Sequence, residues 1–86
     1  MYRASIWVDF NYSPGGWMEF IVAPTLKQVY DAAREEVRYY ASKENYGDNA
    51  WSAEAEIKDL STGKKIARVV HTVYSGYEVQ RLGVAE

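Results

Sequence analysis

The chain has 86 residues, with 10 Lys and Arg against 12 Asp and Glu, one His and no Cys. That length holds one core and a single domain over 1–86, and the missing thiol removes disulfides, thiolate metal sites and cysteine nucleophiles. Charge of mixed sign and no clustering argues against polyanion binding as the main activity, because neutralising phosphates takes a basic stripe.

From Tyr2 to Tyr12 the even positions Tyr2, Ala4, Ile6, Val8, Phe10 and Tyr12 face one way and Arg3, Ser5, Trp7, Asp9 and Asn11 the other. This period of two predicts a strand with one buried face, on which Trp7 is the misfit of the wet side. No continuous apolar stretch opens the chain, so neither a signal peptide nor a membrane span is expected and a cytoplasmic location is. Ser13-Pro14-Gly15-Gly16 predicts a turn, and the chain then returns through Trp17 to Val22 as the second arm of a hairpin. Simple alternation places Met18, Phe20 and Val22 on one face and Trp17, Glu19 and Ile21 on the other.

Thr25 followed three residues later by Gln28 has capping-box spacing and predicts a helix start. Leu26, Val29, Tyr30, Ala33, Val37, Tyr40 and Ala41 recur at three- and four-residue intervals, giving one apolar stripe on a helix from Leu26 to about Lys43. Gly47-Asp48-Asn49 should end it. Trp51, Ala53, Ala55 and Ile57 alternate with Ser52, Glu54, Glu56 and Lys58, a third strand with an apolar face. After a turn at Asp59 to Lys64, a fourth strand is expected from about Lys65 to Tyr74. Its faces are ambiguous, since Ile66, Val70 and Tyr74 compete with Ala67, Val69 and Val73. Ser75-Gly76 should bend the chain before a short fifth strand over Tyr77 to Leu82.

The order is ββαββ, plus a short last strand: an α+β domain with an antiparallel sheet of four or five strands. One amphipathic helix covers only one face of such a sheet. The open face is expected to carry Trp7, Trp17, Glu19, Ile21, Glu54 and Glu56, with Tyr39 and Tyr46 as further contact residues near the helix end.

Catalytic chemistry finds little support. His71 is the lone imidazole and has no nearby motif for a nucleophile or a partner carboxylate. Glu54 and Glu56, two apart on one strand and so roughly 7 Å apart, could share a cation with a neighbour, but a solvated charged face is the commoner outcome. Ser61-Thr62-Gly63-Lys64 joins two strands, whereas a phosphate-binding loop joins a strand to a helix. No cofactor, no metal and no enzymatic turnover are expected.

The composition stands out in its 3 Trp, 8 Tyr and 2 Phe. So small a core cannot absorb them all, and surface Tyr and Trp are typical contact residues. A non-enzymatic protein-binding module is therefore the expected function. The competing reading has Trp7 and Trp17 in a small second cluster under Tyr74 and Tyr77. In size, acidity and strand–helix order the chain resembles the small accessory proteins that phages and mobile elements use against host defences, anti-CRISPR proteins among them. That resemblance implies an inhibitor that occludes a host nucleoprotein complex through a protein subunit. A homodimer through exposed strand edges is a further option. The alternative function is single-stranded nucleic-acid or nucleotide binding by stacking on the open face, with Arg3, Lys58, Lys64, Lys65 and Arg68 supplying charge and Asp9, Glu19, Glu54 and Glu56 opposing it.

Overall fold

A computed structural model describes residues 1–73 in full and the backbone of 76–81. The elements are β1 (Tyr2–Phe10), β2 (Gly16–Ala23), α1 (Leu26–Tyr40), α2 (Lys43–Tyr46), a 3-10 turn (Gly47–Asn49), β3 (Ala50–Asp59), β4 (Lys64–Thr72) and β5 (Gly76–Arg81). One open sheet has the order β2-β1-β3-β4-β5, antiparallel throughout. The α+β expectation holds, with α1 packed on one face, chiefly over β1 and β3. No helix among the described residues is long and apolar enough to cross a membrane.

The interface between α1 and the sheet is built from small residues. Val29, Ala33 and Val37 of α1 and Ala41 just past its end meet Ala4, Ile6, Val8, Ala53, Ala55, Ile57, Ala67 and Val69 of the sheet. Among the described residues no aromatic side chain is fully buried; the largest that are include Ile6, Ile57, Val8, Val29, Val37 and Val69. Alanines on facing surfaces bring helix and sheet close, leaving a gap too narrow for a ring. Tyr2, Phe10, Tyr30 and Tyr40 pack around the rim of this core instead.

Three bulges separate the observed faces from the simple alternation. Between β1 and β2 the register slips at Ile6/Trp7, pairing Ile6 with Glu19 and Trp7 with Trp17 and leaving Met18 as the extra residue. Trp17 therefore joins Phe20 and Val22 on the open side, whereas Glu19 and Ile21 turn toward the helix, contrary to the alternation. Between β1 and β3 the slip falls at Asp9/Phe10, so Ala50 enters the core and Trp51, expected on the apolar face, is 40% exposed. The third slip leaves Ile66 over as the pairs pass from Ile57 with Ala67 to Lys58 with Lys65. It resolves the ambiguity of β4 in favour of Ala67 and Val69 as the buried set. Such an extra residue inverts the side-chain alternation beyond it.

β1 ends at Phe10, and the expected continuation to Tyr12 is corrected. Asn11 donates from its amide to the Asn49 carbonyl at 3.0 Å and from Nδ2 to the Asp48 carbonyl at 2.9 Å. The loop is thereby diverted onto the turn before β3, and Tyr12 is 79% exposed. The turn that follows needs Gly15, because a Cβ there would lie 2.4 Å from the Val8 carbonyl oxygen.

The helix begins as expected, Thr25 Oγ1 accepting from the Gln28 amide at 3.2 Å. It ends at Tyr40, short of Lys43. Ser42 is extended and its hydroxyl accepts from the Glu44 amide, starting the separate turn α2; Gly47 closes that turn at φ 57. β5 falls at the expected place, while the proposed bend at Ser75 and the roles given to Tyr74 and Leu82 lie outside the described residues, as do the side chains of β5.

Ala33 is fully buried at the centre of the helix–sheet contact, so Ala33→Asp should unfold the domain: an unpaired buried charge costs several kcal/mol against a total of roughly 5 kcal/mol. Lys27→Ala removes only the exposed pair with Asp31 and should cost less than about 0.5 kcal/mol. Thermal melts of the two variants check this, and Gly15→Ala should melt below the parent because of the Val8 clash.

Candidate functional site

The sheet face opposite α1 is described by rows running across the strands. In one row Trp17, Trp7, Glu54 and Val70 follow one another from β2 to β4; the next is Phe20, Ser5, Glu56 and Arg68; a third is Val22, Arg3, Lys58 and Lys65. The β2 side is apolar: Trp17 is 51% exposed, Phe20 63% and Val22 56%, with Met18 at the bulge 40% exposed. The remaining columns are mostly polar.

The aromatic side chains are organised by their neighbours. Trp7 and Trp17 meet edge to face with centroids 5.2 Å apart, and the Trp7 indole donates to Asp9 Oδ1 at 3.0 Å. The Arg3 guanidinium lies 5.4 Å from the Phe20 ring centroid. Ring pairs and cation–ring contacts of this kind are each worth about 1 kcal/mol. They orient the side chains yet leave most of the ring area of Trp17 and Phe20 in water.

The acidic ladder is neutralised from within the sheet. Glu54 is engaged by Arg68 and Glu56 by Lys65 at 3.0 Å. Partly exposed pairs contribute roughly 0.2–1 kcal/mol each; their larger effect here is to cancel charge. Among the described residues Arg3 and Lys58 have no carboxylate within ion-pair distance, so positive charge lies beside Phe20 and Val22 while Asp9 lies beside Trp7.

The eight residues singled out in the sequence thus divide into three groups. Trp7, Trp17, Glu54 and Glu56 share the open face. Glu19 and Ile21 do not: the Met18 bulge turns them under α1, Ile21 against the core and Glu19 against Glu36. Tyr39 and Tyr46 belong to a cluster at the end of α1, with Tyr39 5.3 Å from Tyr40 and 5.9 Å from Tyr46, and Phe10 5.2 Å from Tyr46. Burial, then Tyr39, pushes the Tyr46 hydroxyl above its usual range. Sequence reasoning missed Phe20 and Val22 as parts of the open face, which only the register of the hairpin reveals, whereas Arg3 stands on the face that alternation gave it.

His71 sits on the helix side of β4, in a cleft of about 490 Å³ lined with Asp31, Arg34, Glu35 and Arg38. Its Nδ1 is buried without a hydrogen-bond partner among the described residues. Burial, then Arg38, lowers its basicity, which keeps the ring neutral at physiological pH. No three His, Asp or Glu side chains converge on one point among the described residues.

The chain matches no family model, no curated protein and no solved structure. Its reading therefore rests on its own residues.

The contact between Glu19 and Glu36 makes a measurable pH signature. Burial, then hydrogen bonding to Glu19, raises Glu36 above its ordinary value of 4.5. The folded state accordingly binds more protons than the unfolded one just above that value, and stability falls as pH rises through the folded value. Glu36→Gln removes the term, so the variant should melt above the parent at about pH 7 and no higher than it at about pH 4. The depressed Asp31 and Asp59, held down by Lys27 and Ser61 respectively, are common to both proteins and cancel in the difference. Thermal melts of the two proteins across that range check the sign.

Proposed function

We propose that the chain is a non-enzymatic protein-binding module whose contact surface is the aromatic side of the open sheet face. One observation carries this reading: Trp17, Met18, Phe20 and Val22 form an exposed apolar strip on one strand, while the buried core among the described residues is made of Ala, Val and Ile. A strip of that kind on a small domain marks a contact site. Trp7 borders it, and aromatic side chains of this type dominate the energetics of protein interfaces. The module acts stoichiometrically, as an inhibitor that occludes a protein surface. The resemblance in layout to phage counter-defence proteins suggests a subunit of a host nucleoprotein complex.

Nucleic-acid stacking is the second reading, favoured by the row of Arg3, Lys58 and Lys65 beside Phe20 and Val22. Glu56 engages Lys65 and leaves two cations for phosphate. Binding to a single strand would then depend only weakly on salt, with a logarithmic slope of about −1.4.

Phe20→Ser with Trp17→Ser should abolish retention of a stoichiometric protein partner from source-cell lysate on immobilised chain, read by quantitative mass spectrometry. Truncating interface aromatics commonly costs about 2 kcal/mol or more, roughly thirtyfold in affinity. Folding should lose only about 2 kcal/mol, the summed worth of the two ring contacts. Equal retention by parent and variant would refute the reading. Nuclease-sensitive retention, with quenching of Trp fluorescence by an oligothymidylate, would transfer it to nucleic acid.

A further inference from the structure

The edge position of β2 carries the proposed contact surface one step further. β2 is the outermost strand of an open sheet, and its outer backbone groups form a template for another strand. Natural edges are guarded by Lys, Pro, inward charges or bulges. The sequence Gly16–Ala23, GWMEFIVA, has no Pro, no Lys and no Arg. Its single charge, Glu19, is half-buried against Glu36. The Met18 bulge interrupts only the start of the strand, leaving Glu19 to Ala23 in regular register. The opposite edge, β5, has Glu78 and Arg81 in its sequence.

We infer that β2 pairs antiparallel with β2 of a second copy, joining two sheets about a twofold axis perpendicular to them. The inference rests on the reading of the aromatic strip as a contact surface and names one of its occupants. Self-complementarity favours a second copy. Centred on Phe20, the pairing sets Phe20 against Phe20, Val22 against Met18 and Glu19 against Ile21; centred on Ile21, it sets Phe20 against Val22 and Glu19 against Ala23. In neither register does Glu19 oppose its own symmetry mate, so no like charges meet, and every open-face pair is apolar. Arg3 lies one strand inward, on the far side of Phe20 from the partner. Because the axis is perpendicular to the sheet, both helices fall on one side and both Trp7–Trp17 pairs on the other. The product is one continuous face with the contact surface doubled.

A single strand pair is a small interface, of the class that forms weak, reversible contacts. Sedimentation equilibrium from about 1 µM to about 1 mM should show the mass rising from 9.8 kDa toward twice that value. Phe20→Lys and Val22→Lys, both at exposed positions, should raise the midpoint concentration at least tenfold with the melt nearly unchanged. Leu60→Lys, exposed in the turn between β3 and β4, should leave the midpoint where it is. A mass of 9.8 kDa throughout, or a dimer indifferent to both β2 substitutions, overturns the pairing. Trp7→Ala separates it from the partner reading, since Trp7 is one strand in from the edge. Loss of partner retention in a chain that is monomeric overturns self-pairing and leaves the module standing. A β2-dependent dimer that retains no partner supports self-pairing and removes the module.

Discussion

The narrow contact between α1 and the sheet governs the rest of the molecule. Ala33 of the helix faces a sheet surface whose buried positions include Ala4, Ala53, Ala55 and Ala67, and so close an approach admits Val and Ile but not rings. The consequence is a sorting of side chains by size. Branched aliphatics hold the fold, and the aromatic residues of the described chain are displaced to the rim of the core, to the cluster at the end of α1 or to the open face. Hydrophobic material that a wider core would have absorbed is thereby left available for contact.

The bulges perform the second sorting. An antiparallel hairpin in perfect register would place Trp17 under the helix with Glu19 and Ile21, where the narrow gap could not hold it. One extra residue at Met18 sends Trp17 out to meet Trp7 and turns Ile21 inward against the core. The cost is a carboxylate brought beside Glu36. At Trp51 the same device puts Ala50 inside and the large ring outside. In both places the bulge resolves a conflict between side-chain volume and strand parity.

Element identity was legible in the sequence because it rests on local periodicity. The stripe Val29, Ala33, Val37 and the cap at Thr25 mark α1, and alternation marks β1 and β3. The class of fold followed from these alone. The open face was legible only in part: Trp7, Glu54 and Glu56 stand where alternation puts them, and Trp17 is on the expected side, but Glu19 and Ile21 are not. A bulge has no local signature, since whether Met18 is skipped depends on what Ile6 and Trp7 face across the strand pair. The end of α1 was missed for a related reason: the stripe runs through Tyr40 and Ala41 to the predicted end, and the effect of Ser42 as a cap becomes visible only in backbone geometry.

What most directly tests the claim that the aromatics are excluded from the core is the accessibility of the three Trp in the folded monomer. Iodide quenching of fluorescence, measured at high dilution with folding verified by circular dichroism, should find all three reachable. A blue-shifted, unquenched component that vanishes on unfolding would mean that a Trp completes the core, and the sorting of side chains described above would be wrong.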